Sequence, residues 1–255
     1  MGISILGVIP ARGNSQRLPR KNSMSVGGRT LIQRTADAID ESLAFSSNGA
    51  QAIVSTDDAE IAEIATAAGL AVLNPPPELS APDAMTWQVA KHASSEAGPA
   101  DAVVVLLPTV PFRRGWHIDA ALDALFDTDH PEPPASALTV SQAEYPPEWM
   151  FKIDRRGRLK HKGDRTSPRS QLAPSYLHNG SVWAMRGDLV PIMKSNFGVG
   201  EYIVGVETPW EETLDLDWPW QLELAETMAE RMDEWRYATG RLLLGYRSER
   251  KVPGV

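Results

Sequence analysis

Asp215 and Asp217 stand two residues apart in TLDLDWPW (213–220), alternating with Leu214 and Leu216. In an extended segment that spacing sends both carboxylates to one face. Two neighbouring carboxylates repel unless a cation lies between them. Magnesium, which takes hard oxygen ligands and shares them with phosphates, suits that place. A second reading makes Asp217 the N-cap of a helix starting at Pro219 and gives Asp215 an ion pair. Near the start of the chain, IPARGNSQRLPRKN (9–22) follows an apolar run and sets Arg12, Arg17, Arg20 and Lys21 around Gly13. Arg forks and a Lys point charge match phosphate oxygens. The loop reads either as a cradle for a polyanion or as a solvated basic loop. It has neither G-x-x-x-x-G-K-[ST] nor G-x-G-x-x-G, so P-loop and dinucleotide readings have no support. Asn22 closes it ahead of VGGRTLIQRTADAI, a turn feeding a helix whose positive dipole end would add to the site.

Two weaker constellations follow. STDDAEIAEIA (55–65) reads as a strand end and a helix N-cap with acidic first-turn residues, leaving Asp57 as a possible ligand contact. In SPRSQLAPSYLHNGSVWAM (167–185), Arg169 needs a partner, Gln171 is polar nearby, and Asn179-Gly180 reads as a tight turn before a strand.

The elements that position these residues alternate. SILGVI (4–9), QAIVS (51–55), LAVL (70–73) and AVVVLL (102–107) have the length and β-branched content of buried strands. Ile61, Ile64, Ala65 and Ala68, and again Ile118, Ala121, Leu122 and Leu125, follow helical spacing. Strands alternating with amphipathic helices predict βαβ units and a mainly parallel sheet, with ligands at the carboxyl ends of its strands. After HPEPP (130–134) come a strand at 135–141, a polar, hairpin-like excursion over 145–164 turning at Arg156-Gly157, and strands at 181–185 and 201–207. The excursion is either a protruding arm packed on a second subunit or a surface flap. A helix is expected from about Pro219 to Tyr237, then a basic tail.

The 255 residues suffice for a sizeable core, and net charge −8 argues against broad nucleic-acid or anionic-membrane binding. An anionic ligand must therefore meet a local basic site. Without cysteine, disulfides, thiolate metal sites and Cys nucleophiles are excluded. No apolar run approaches the roughly 20 residues of a membrane helix, and Met1 leads directly into an apolar strand, so a cytoplasmic protein is expected.

IPARGNSQRLPRKN, VSTDDAEIAEIATAAG, LLPTVPFRRGWHIDAAL, RSQLAPSYLHNGSVWAM and LDLDWPWQLELAE occur in one order and spacing over about residues 4 to 230. In this they resemble the acylneuraminate cytidylyltransferases, which are the CMP-sialic acid synthetases, and relatives that activate other nonulosonic acids. The resemblance implies an α/β, Rossmann-like nucleotidyltransferase fold: a mainly parallel sheet flanked by helices, with a protruding β-arm. It implies CTP as co-substrate, Mg²⁺ as cofactor, a nonulosonic sugar as acceptor, and a homodimer formed through the arm at 140–175. One domain is expected over 1–240, with a tail at 241–255.

Carried over by residue, the resemblance puts Arg12, Ser15, Lys21 and Asn22 around the nucleotide and Asp215 and Asp217 on the metal. Leu107, Thr109, Arg169 and Gln171 fall to the sugar site, and Arg12, Lys21 and Asp215 carry the catalysis. Three departures stand out. Leu107 and Val110 replace a Gln and a Ser usual in the sugar-facing motif, Pro75 replaces an Arg near the base, and Gln16 stands where Lys is common. The chemistry should survive them, while the sugar's identity is open. A CMP-octulosonate synthetase and a nucleotide-binding module without catalysis are the competing readings.

Overall fold

The structure is a computed structural model and describes residues 3–15, 17–46, 49–129, 131–161, 168, 172–196 and 202–231. The predicted strands appear as β1 (Ile5–Pro10), β4 (Ala50–Ser55), β5 (Ala71–Leu73), β6 (Ala102–Val105), β7 (Ser136–Gln142), β10 (Tyr176–Arg186) and β11 (Ile203–Glu207). They form one sheet in the order β11-β7-β10-β6-β1-β4-β5. Only β10 runs against its neighbours β6 and β7; the other pairings are parallel. The α/β class with a mainly parallel sheet is as expected.

Alternation along β1 splits the core. Ile5 and Ile9 face helices α1 (Leu31–Asp40), α2 (Ala59–Ala67) and α5 (Gly115–Leu125), through Ile32, Ile61 and Ile118. Leu6 and Val8 face α4 (Thr86–Ala97) through Val89 and Ala93. Both faces are thus covered, as a parallel sheet requires. The short helix α3 (Pro77–Ser80) precedes α4.

A third, smaller cluster of Val26, Leu31, Phe112, Leu216 and Ala225 joins the small hairpin β2 (Ser25–Val26) and β3 (Arg29–Thr30) to the segment carrying the two carboxylates.

The excursion folds back as β8 (Phe151–Ile153) and β9 (Leu159–His161), an antiparallel pair joined through Gly157 at φ 77. This places the turn where the sequence predicted it. Ile153 and Leu159 are cross-strand partners and remain 71% and 62% exposed. The last helix starts at 219 as expected, and the described part reaches 231.

Asn179-Gly180 is not a hairpin turn. Both residues lie inside β10, where the register with β7 shifts between His178 and Trp183 and Gly180 takes φ 74. The asparagine is what holds this bulge. Its amide donates to Ser141 Oγ and Thr208 Oγ1, and its carbonyl accepts from Thr139 Oγ1. Local turn chemistry and a bulge share one dipeptide signature, and only the partner strands separate them.

Candidate functional site

The carboxyl ends of β1, β4, β5 and β6 open onto a cleft of about 420 Å³. The first loop crosses it and is pinned at several points. Ala11 N–H donates to the Ser55 carbonyl at 2.9 Å, and Gly13 N–H donates to Asp57 Oδ1 at 2.9 Å. A side chain at position 13 would sit 2.6 Å from Asp58 Oδ2, so only glycine fits there. Asp57 therefore anchors the loop and is not among the residues that line the cleft, while Asp58 caps α2, as expected of that acidic pair. Asn22 lines the cleft but spends its side-chain N–H on the Arg12 carbonyl at 2.9 Å. Arg12 also lines it, and its Nη1 donates to the Ala81 carbonyl at 2.6 Å.

Arg20 departs from expectation. In a left-handed conformation (φ 55), it turns its guanidinium to Glu60 and Asp58, away from the cleft lining. The N-terminus of α1 departs too. It lies beyond the hairpin and is closed by a capping box of Thr30 and Gln33, so it adds no dipole end to the cleft.

On the opposite wall stand Asp215 and Asp217. Their segment is not a strand but an irregular, extended strap. The predicted alternation nonetheless holds. Leu216 is fully buried in the third cluster and its N–H donates to the Thr109 carbonyl at 2.8 Å, leaving the flanking carboxylates on the cleft. Burying that leucine is worth about 1.5–3 kcal/mol. Asp217 is not a helix cap either. The Gln221 side chain accepts from the N–H groups of residues 217 and 218 at 2.7 Å, while the Asp217 carboxylate takes Lys21 Nζ and Arg17 Nη1, each at 2.9 Å.

Asp215 Oδ1 is buried and has no hydrogen-bond partner. Burial pushes the Asp215 carboxyl pKa up. A hydrogen bond from Thr109 and the charges of Lys21 and Arg17 pull the other way, while Asp217 adds to the rise.

Asp215 also lines a second cleft of about 400 Å³, on the β6–β10 side. Leu107 and Thr86 are shared in the same way, and Trp183, Trp210 and His178 belong to the second cleft alone. Val110 was expected beside Leu107 in the sugar site. It is instead 1% exposed and packs under Gly180, because the loop turns it into the core. Thr109 lines the first cleft, as do Ser15 and Pro75. Arg169 and Gln171 lie outside the described residues.

Behind the clefts is a buried polar network that sequence reasoning missed. Arg113 is 3% exposed. Its Nε donates to the Ser181 carbonyl at 2.6 Å, and another of its nitrogens reaches the Leu107 carbonyl. Burial lowers its pKa to about 9, against the pull of Asp215. His117 bridges Ser181 Oγ at 3.1 Å and Glu212 Oε2 at 2.9 Å. That is the order of an activated-serine triad, yet Ser181 and His117 are both 0% exposed and no substrate reaches them. Burial lowers the His117 pKa, with Glu212 opposing. Burial raises that of Glu212, but His117, Arg114 and Trp116 together bring it below the usual range. The only trace of this network in the sequence is the pair of basic residues Arg113-Arg114 on an apolar stretch.

Residues 6–234 match the family model described as Cytidylyltransferase. Among curated proteins, the chain is 29% identical over 214 residues to the N-acylneuraminate cytidylyltransferase of Streptococcus agalactiae serotype III (strain NEM316), covering 82% of this chain and 49% of that protein. The chain thus spans about half the length of this relative. It is 28% identical over 242 residues to the CMP-N,N'-diacetyllegionaminic acid synthase of Legionella pneumophila subsp. pneumophila (strain Philadelphia 1), covering 90% of this chain and 98% of the relative. Among solved structures, a CMP:2-keto-3-deoxy-manno-octonic acid synthetase complexed with CTP superposes with TM-score 0.65 at 19% identity, over 89% of this chain and 99% of that one, and shows the shared fold. The chain belongs to the cytidylyltransferase family.

Proposed function

We propose that this protein transfers CMP from CTP to the anomeric hydroxyl of a nonulosonic, sialic-acid-like acid and releases pyrophosphate. The observation that carries the reading is Asp215, whose carboxylate lines both clefts and keeps one oxygen buried and unpaired. The first cleft suits the nucleotide, with Lys21 and Arg17 at its charged end, and the second suits the acceptor. The reacting atoms then meet where the clefts join. The sugar hydroxyl oxygen attacks the α-phosphorus, the bond from that phosphorus to the bridging oxygen of the β-phosphate breaks, pyrophosphate leaves, and the hydroxyl proton passes to water.

Lys21 and Arg12 stabilise charge on the leaving pyrophosphate, with Ser15 and Asn22 shaping the phosphate loop. Asp215 and Asp217 would hold Mg²⁺. The fit is physical: two carboxylates, one with a buried unpaired oxygen, and no third acidic or His ligand grouped with them among the described residues. Such a site leaves the remaining coordination to water and phosphates, as magnesium requires. When bound, the ion supplies charge neutralisation on the phosphates.

In the acceptor cleft, Leu107 offers an apolar wall and the indole N–H of Trp183 is buried without a partner. This favours an acceptor with a deoxygenated or acyl-methyl group and an oxygen within reach of the indole. The arm supports a homodimer. An isolated two-stranded hairpin is marginal in water, and Ile153 and Leu159 need covering. A cytoplasmic location belongs to the same reading. The test is pyrophosphate release from CTP and Mg²⁺ with a panel of N-acetylneuraminate, legionaminate, pseudaminate and an eight-carbon octulosonate. Release with none of them refutes the proposal, and release with the octulosonate alone assigns the other acceptor class.

A further inference from the structure

We infer that the Ser55 and Ser80 hydroxyls receive the polar edge of the nucleotide base, at the end of the first cleft away from the carboxylates. The inference rests on the reading of that cleft as a nucleotide site. Both Oγ atoms are buried with no hydrogen-bond partner, and both residues line this cleft. A buried hydroxyl left unpaired costs free energy, and native folds rarely keep one without use.

Their place gives the use. Sheet order puts Ser55 at the end of β4 and Pro75 just past β5, on one side of β1. Thr109 follows β6 on the other side, and its carbonyl holds the strap that carries Asp215. A nucleotide with its phosphates at Lys21, Asp215 and Asp217 therefore projects its base toward β4 and β5. The walls there are Pro75, Leu79, Pro82 and Val89, apolar surfaces for the faces of a flat ring. A ring in that slot needs polar partners at its edge, and a serine hydroxyl serves as donor or acceptor.

Both hydroxyls are held in place. Ser55 is 3% exposed, and its carbonyl takes the Ala11 N–H. Ser80 ends α3 beside Ala81, whose carbonyl is tied by Arg12 to the phosphate-side loop. Arg12 thus joins the two ends of the cleft.

The test compares wild type with Ser55→Ala and Ser80→Ala by calorimetric titration with CTP and with inorganic tripolyphosphate, alongside thermal melts. Each variant is expected to bind CTP about three- to tenfold more weakly, the value of one neutral hydrogen bond. Tripolyphosphate binding stays unchanged, and the melts fall no lower than wild type because the lost hydroxyl had no partner. Unchanged CTP affinity overturns the inference. So does an equal loss for tripolyphosphate, or a lowered melt, either of which makes the hydroxyls structural. Wild type that fails to bind CTP refutes the nucleotide reading itself, whereas wild type that binds beside indifferent variants refutes only this assignment.

Discussion

Lys21 Nζ lies 2.9 Å from Asp217 Oδ1 across 196 residues of sequence. This contact joins the basic loop after the first strand to the acidic strap near the last helix. In the free protein Asp217 is neutralised by Lys21 and Arg17, while Asp215 keeps an unpaired oxygen. Lys21→Met should remove a charge that the leaving group needs, lowering turnover about a hundredfold or more. Lys21→Arg should recover part of it. Turnover equal to wild type in Lys21→Met would show that the loop is only a solvated surface.

Asp215→Asn should abolish most pyrophosphate release while stabilising the metal-free protein. Burial raises the folded-state pKa of Asp215 above its unfolded value. The folded state then binds more protons, and stability falls as pH rises from about 4 toward the raised pKa. The asparagine variant should therefore melt higher than wild type at neutral pH, and the advantage should vanish below about pH 4. Added Mg²⁺ should raise the melt of wild type and not of the variant. A variant that melts lower at every pH would place Asp215 in a structural ion pair.

The helix starting at 219 is capped by Gln221, so Gln221→Ala should cost about 1 kcal/mol. Asp217→Asn should instead cost activity. Chemical denaturation and turnover, measured on both variants, separate the two roles.

His117 should make the fold acid-sensitive above the carboxylate range. Its folded pKa is depressed, chiefly by burial, so the unfolded chain takes up the proton first and stability drops as pH falls below about 6.5. His117→Asn should flatten this part of the stability profile. Denaturant midpoints between pH 7 and 5 test it, and a profile with the same slope in the variant would rule His117 out.

Gly180 adopts φ 74, and a Cβ there would meet Leu107 Cδ1 at 3.2 Å. Gly180→Ala is expected to cost about 1–2 kcal/mol through the left-handed backbone and to crowd Leu107 at the acceptor cleft, which both residues line. KM for the sugar should rise while KM for CTP holds. An unchanged KM for the sugar would mean that Leu107 does not face the acceptor. Leu107→Gln, in turn, should shift preference toward N-acetylneuraminate.

Equilibrium sedimentation is expected to show a dimer at micromolar concentration, lost in a double variant Ile153→Asp, Leu159→Asp with the sheet intact by circular dichroism. A monomeric wild type refutes the arm reading.

The sequence by itself determined the strand–helix alternation, because period-2 and period-3.6 apolar patterns are local and strong. It also located the basic loop and the Asp215/Asp217 pair, whose two-residue spacing works in any extended backbone. Tertiary structure alone decided which charges point where. Arg20 and Lys21 are adjacent in sequence, yet the left-handed backbone at Arg20 sends one to α2 and the other to Asp217. The same holds for Val110, set next to the site by sequence and taken into the core by its loop, and for Asn179-Gly180, a bulge made by partners 29 to 40 residues away. The unpaired hydroxyls of Ser55 and Ser80 had no signal in the sequence at all. Whether a polar group is satisfied depends on every chain segment that passes it, and no local pattern records that.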